Sequence, residues 1–195
     1  MKTQVFTLTK EKTELESILA EMEKAAVYCD LDKKEATRLR LLSEELIGMV
    51  PELLDFCSAK FWAESIGKEF ELYVSAELND MFSADREKLL EISKSGKNAA
   101  AKGIMGKIRS VVETMFVEYS NAVALQDERF YQMGIAPSHY YYLRQWSLNR
   151  YKNAAEENGE EWDELEASII ANLADDVIVG IKGRKVDITV KKKFK

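Results

Sequence analysis

Two segments of alternating polarity constrain the fold of this chain more than any other feature. The six apolar side chains of the more regular segment are Val177, Val179, Ile181, Val186, Ile188 and Val190, on either side of KGRK. Because successive side chains of a strand point to opposite faces of a sheet, this spacing predicts a β-hairpin with one buried face. Residues 70–77 alternate in the same way, and residues 60–64 are predicted to be their hairpin partner, with a turn near SIGK. Each apolar face has to be covered by a second layer.

Helical periodicity supplies that second layer. Apolar residues recur at a spacing of 3.6 through the helices predicted at 11–29, 34–54 and 104–119, and shorter helices are predicted at 84–93 and 161–174. A first strand is predicted at 5–9, and Pro51 is expected to bend or interrupt the second helix. The predicted fold is α+β: a two-layer sandwich in which helices cover one face of a mixed sheet. It forms one domain, 1–195, with residues 120–160 as a helical insertion.

Composition excludes several functional classes. The formal net charge of −6 argues against nucleic acid as a partner, and the basic run KKKFK at 191–195 is interpreted as a solvated tail. No apolar segment approaches the roughly 18 residues that span a bilayer, and residues 1–14 lack the features of a secretory signal, so a cytoplasmic protein without a membrane partner is expected. The single histidine, His139, rules out a histidine-rich zinc site and is interpreted as structural or exposed.

The stretch LLSEELIGMV, residues 41–50, places a polar pair in a helix that is otherwise apolar on one face. Glu44 and Gly48 are separated by one turn, and glycine inside a helix costs about 1 kcal/mol relative to alanine. Two interpretations remain open. The pair faces a pocket, or Glu44 is exposed to solvent while Gly48 permits close packing of a neighbouring helix.

Three segments resemble the histidine kinase-like ATPase fold of the gyrase, chaperone, kinase and mismatch-repair (GHKL) superfamily, in particular its anti-sigma-factor, serine-kinase branch. VFTLTKEKTELESILAEM resembles the first strand and helix, LLSEELIGMV resembles the N box, and IIANLADDVIVGIKGRKVDITVKK resembles the last helix and closing hairpin. The resemblance implies an ATP site with Glu44 as the catalytic glutamate. Gly48 stands where the family has the asparagine that holds Mg²⁺, so a Mg²⁺ cofactor is doubtful. The family's Asp-x-Gly-x-Gly for adenine is also missing, although Asp80 or Asp85 lies in the corresponding region.

The resemblance also implies a phosphate-binding lid within residues 95–107, a segment whose composition is otherwise typical of a flexible connector. Its candidate cofactor-binding residues, together with Gly48, are Gly96, Lys97, Asn98, Lys102, Gly103 and Gly106. Glycines let the backbone approach phosphates, and lysines offer point charges, Lys107 among them. Asn98 is a candidate metal or phosphate contact.

Two functional hypotheses follow. The first is an ATP-binding protein with a degenerate site that regulates a protein partner by phosphoryl transfer or sequestration, with kinase or ATPase activity an open question. The second is a non-catalytic interaction module that kept the fold and lost nucleotide binding. Tyrosines and a tryptophan are concentrated at 130–151, and two interpretations of them remain open: a protein-binding surface, or the core of the inserted helices.

Overall fold

The computed structural model describes residues 1–9, 15–53, 56–78, 107–115, 145–158, 168–182 and 184–195. The strands are β1 (Phe6–Leu8), β2 (Phe56–Ile66), β3 (Glu69–Leu78), β4 (Gln145–Ser147), β5 (Asp176–Lys182) and β6 (Lys185–Lys193). The helices are α1 (Leu15–Tyr28), α2 (Lys33–Leu53), α3 (107–115), α4 (Leu148–Asn158) and α5 (Ile169–Leu173). The fold is α+β, as predicted.

The six strands form one sheet in the order β1-β2-β3-β6-β5-β4. Every strand pair among the described residues is antiparallel, whereas the sequence predicted a mixed sheet. The closing hairpin has the predicted register, because Val177 lies opposite Val190, Val179 opposite Ile188, and Ile181 opposite Val186. The predicted turn near SIGK is also confirmed: Gly67 adopts φ +58° between β2 and β3, a backbone conformation that glycine adopts without steric cost.

One hydrophobic core joins the sheet to the helices. It contains alternate side chains of β3, β5 and β6 together with the apolar stripes of α1 and α2. Ile108 and Val112 of α3 and Ile170 of α5 belong to the same core. On the other face of the sheet the three glutamates of β3, Glu69, Glu71 and Glu77, remain partly or fully exposed, whereas Ser75 is buried. This arrangement is compatible with the predicted two-layer sandwich.

Two local predictions differ from the structure. The second helix is not interrupted at Pro51 but continues to Leu53, because a proline this close to the helix end disturbs few intrahelical bonds. Within the segment predicted as a helical insertion, residues 145–147 form the edge strand β4, which pairs with β5, and only then does α4 begin. The predicted helix at 84–93, the loop at 93–103 and residues 120–144 lie outside the described residues.

The basic run at 191–195 is not a solvated tail. Lys191, Lys192 and Lys193 belong to β6 and pair with Glu71, Asp175 and Glu69 respectively, the first two at 2.9 and 2.7 Å. Phe194 is only 5% exposed and packs edge-on against Phe70, with 5.8 Å between ring centroids. Alternation along the strand turns Lys191 and Lys193 to one face and Lys192 to the other, so each lysine meets a different carboxylate.

No helix among the described residues is long and apolar enough to cross a membrane.

Candidate functional site

The candidate site centres on the exposed side of α2. The residues that form this exposed stripe are Thr37, Leu41, Glu44, Gly48 and Pro51. They recur every three or four positions, which places them along one side of the helix. The opposite side carries Leu39, Leu42 and Leu46, all fully buried in the core. The sequence therefore folds α2 with Glu44 and Gly48 adjacent and directed away from the sheet.

Gly48 is not explained by packing within the described part of the chain. A Cβ atom added at Gly48 would meet no heavy atom of a described neighbour within 4 Å. Close approach of a described helix, one of the two interpretations of this glycine, is therefore not what requires it. Glycine lowers the stability of the helix at a position where the described residues leave room for at least a Cβ atom.

The two residues that flank Glu44 make hydrogen bonds within the fold. Ser43, the serine of the N-box-like stretch, is fully buried, and its hydroxyl donates to the carbonyl of Leu39 at 2.9 Å. Such back-bonding to the preceding turn is a structural use of serine in a helix. Glu45 turns toward α5, where its Oε1 lies 3.5 Å from Ser168 Oγ. Of the three polar residues, Glu44 alone presents its carboxylate on the exposed stripe.

All of the predicted lid except Lys107 lies outside the described residues. Gly96, Lys97, Asn98, Lys102, Gly103 and Gly106 are all in the range 79–106, as are Asp80 and Asp85, and His139 falls in 116–144. The structure therefore does not place these side chains relative to Glu44. Lys107, the next lysine along, is described: it lies in α3, and its Nζ lies 4.2 Å from the centroid of the Tyr151 ring. That separation is a cation–π contact.

The predicted protein-binding surface at 130–151 is described only from residue 145 onward. Trp146 and Tyr151 are half-buried, and their ring centroids are 6.1 Å apart. Trp146 also packs against the hydrophobic core. These two aromatic residues therefore contribute to the attachment of β4 and α4 to the rest of the fold.

The described residues contain no cluster of metal-binding side chains. No group of three or more histidine, cysteine, aspartate or glutamate side chains that could hold a metal is present in the described ranges. Gly48 supplies no side-chain oxygen, and Mg²⁺ requires a near-octahedral set of oxygen ligands. The carboxylate of Glu44 would be one ligand at most.

A second polar cluster, which the sequence patterns did not identify, surrounds Glu35 at the beginning of α2. Glu35 is 8% exposed, and its Oε2 accepts from the backbone N–H of Asp32 at 3.0 Å, while Asp32 Oδ1 accepts from the N–H of Glu35 at 2.7 Å. This reciprocal pair is a capping box, and the Asp-x-x-Glu spacing in DLDKKEA was the available signal. The N–H of Asp32, followed by the ammonium of Lys68 at 3.0 Å, lowers the pKa of Glu35.

Comparisons with protein-family models, with curated proteins and with solved structures returned no match for this chain. Function therefore has to be inferred from the side chains and their placement.

Proposed function

We propose that this protein binds ATP on the exposed stripe of α2, as its resemblance to the histidine kinase-like ATPases implies. The observation that carries the proposal is the pairing of Glu44 and Gly48 on the outward side of an otherwise well-packed helix. No described residue lies within 4 Å of a Cβ added at Gly48, so the glycine leaves room for a ligand where a larger side chain would fill the stripe. Packing among the described residues offers no competing reason for it.

The order of elements supports the same proposal. A short strand and two helices precede the β2–β3 hairpin, and the last helix leads into the β5–β6 hairpin. These are the segments on which the resemblance rests. In this arrangement α2 packs its apolar side on the sheet and presents the residue at the position of the family's catalytic glutamate on its outer side.

Binding is better supported than catalysis. Glu44 has the chemistry of a general base, because a carboxylate can orient a water molecule or a hydroxyl for attack on a phosphoryl group. Gly48, however, replaces the asparagine that holds Mg²⁺ in the family, and the candidate substitute Asn98 lies outside the described residues. We therefore propose nucleotide binding as the activity, with regulation of a protein partner as its use.

The glycine at position 48, where the family has its metal-binding asparagine, also favours a second candidate, a protein-interaction module that kept the fold without the nucleotide. Its partner would contact the aromatic segment 130–151, whose described members are Trp146 and Tyr151. Both are half-buried against neighbouring elements, which leaves less of each ring for a partner.

Thermal unfolding with and without nucleotide separates the two candidates. A ligand at 100 times its dissociation constant adds about 2.7 kcal/mol of stability, which raises the Tm of a chain of this length by about 5–10 °C. We expect such a shift with ATP and ADP. Inorganic triphosphate, as a control for charge alone, should give a smaller shift. Absence of a shift at millimolar ATP, with and without Mg²⁺, would overturn the proposal and favour the interaction module.

A variant that fills the stripe provides the matched control. Gly48→Leu should abolish the shift with ATP while the free protein unfolds at no lower temperature, since a Cβ added here meets no heavy atom of the described residues within 4 Å. If hydrolysis or phosphoryl transfer is detected, comparison with Glu44→Gln tests the base, and equal turnover of the two proteins would remove Glu44 from the reaction.

A further inference from the structure

The cluster around Glu35 joins three parts of the chain that are far apart in sequence. Besides its capping box with Asp32, Glu35 accepts from Lys68 Nζ in the β2–β3 turn at 3.0 Å through Oε2. Its other oxygen, Oε1, accepts from the backbone N–H of Lys195, beyond β6, at 3.1 Å. A single buried carboxylate thus holds the beginning of α2, a turn of the sheet and the segment that follows β6.

The two residues after β6 are held by further bonds. The N–H of Phe194 donates to the carbonyl of Lys68 at 3.0 Å, and Lys68 Nζ donates to the carbonyl of Lys195 at 2.8 Å. The Phe194 ring is buried against Phe70. Lys68 therefore contacts both Glu35 and residues 194–195.

We propose that Glu35, Lys68 and residues 194–195 form a latch that opens and closes as one unit, so that release of residues 194–195 also loosens the first turn of α2. A buried carboxylate that loses one hydrogen-bond donor has an unsatisfied acceptor oxygen, and this cost destabilises the conformation in which the other hydrogen bonds form. Local opening of native proteins occurs in such contiguous cooperative units. The inference does not depend on nucleotide binding.

The latch has a direct consequence for α2. The helix that presents Glu44 and Gly48 is fastened to the sheet at its beginning by a side chain rather than by apolar packing alone. An event that displaces residues 194–195 would therefore reach α2 through Glu35. This gives the fold a conformational connection between the end of β6 and the exposed stripe.

Amide hydrogen exchange followed by NMR tests the proposal, because four amides report on the latch: those of Asp32, Glu35, Phe194 and Lys195. The N–H of Phe194 bonds to the carbonyl of Lys68 and does not touch Glu35. In Glu35→Gln, the latch predicts that exchange at Phe194 accelerates by about tenfold or more, together with Asp32 and Lys195. In the converse variant, Phe194→Ala, the amides of Asp32 and Glu35 should accelerate as well.

The matched control is Glu69→Gln. This variant removes the ion pair between Glu69 and Lys193, the residue next to Phe194, and leaves the contacts of Glu35 in place. It should leave the Asp32 and Glu35 amides unchanged. If Glu35→Gln accelerates only Asp32 and Lys195, and Phe194→Ala leaves α2 unaffected, the contacts are independent and the latch is refuted. Should Glu35→Gln fail to fold, Phe194→Ala and Lys68→Met test the same prediction by removing the other two members of the latch.

Discussion

Trp62 stacks on Tyr73, with ring centroids 5.0 Å apart and ring planes within 8° of parallel. The two residues lie directly opposite each other on β2 and β3, on the sheet face away from the core. Lys2 Nζ lies 5.6 Å from the Trp62 ring, and the Tyr73 hydroxyl donates to Glu71. Burial and the Glu71 carboxylate raise the pKa of Tyr73, so the phenol stays protonated as that donor. This aromatic pair anchors the solvent-facing side of the β2–β3 hairpin.

A double-mutant cycle on this pair should show a favourable coupling of about 0.5–1.5 kcal/mol, the range for stacked aromatic pairs beyond their buried area. Trp62→Ala, Tyr73→Ala and the double variant would be compared by urea unfolding. The control cycle combines Tyr73→Ala with Lys60→Ala, which lies on the same face but not opposite. Coupling in the Trp62 cycle no larger than in the control would contradict the prediction.

Gly48→Ala should stabilise the free protein by up to about 1 kcal/mol. Alanine has the higher helix propensity, and its Cβ would meet open space in the described part of the fold. Thr37→Ala, on the same exposed stripe, is a control that also raises helix propensity but removes the bond from the Thr37 hydroxyl to the carbonyl of Lys33 at 2.8 Å. The measurement is the free energy of unfolding in urea. A clear loss of stability in Gly48→Ala would mean that a neighbour approaches this position closely in solution.

The elements that sequence reasoning located well are those whose pattern is local. Alternation located the β5–β6 hairpin with its register, and a spacing of 3.6 located α1 and α2. Glu44 and Gly48, the residues that suggested the site, were correctly expected to lie on one side of α2. A separation of four residues fixes that relationship in any helix.

The structural features that the sequence did not predict depend on contacts with residues far away in the chain. β4 spans only three residues within an aromatic stretch, and its strand conformation comes from pairing with β5, about thirty residues later along the chain. The basic run at 191–195 resembles a solvated tail until Glu69, Glu71 and Asp175 are brought beside it. Glu35 is buried because Lys68 and Lys195 converge on it, and no local pattern encodes that convergence.

Asp30→Gly should stabilise the protein by up to about 1 kcal/mol, or about 2–4 °C in Tm. Asp30 ends α1 in the left-handed region, at φ +53°, where glycine avoids the steric cost that a side chain carries. The N–H of Leu31 donates to the carbonyl of Ala26, and the N–H of Asp30 donates to the carbonyl of Val27. This pair of hydrogen bonds forms at helix ends where one residue adopts the left-handed conformation. Thermal unfolding measures the gain. Asp30→Ala is the control, and a gain of the same size in that variant would remove backbone strain as the cause.

Stability should fall as the pH is lowered below the ordinary range of glutamate, and Glu35 should account for part of that loss. Hydrogen bonds from Asp32 and Lys68 lower the pKa of Glu35 in the folded state, and Lys191 and Tyr73 do the same for Glu71. A group whose folded pKa is depressed contributes stability above its unfolded pKa and loses it as the pH falls through the folded value. Urea midpoints measured from about pH 7 to about pH 3 should therefore decline.

In Glu35→Gln we expect a lower midpoint near neutrality and a shallower decline in acid. Parallel curves for the two proteins would show that Glu35 does not contribute to the acid loss.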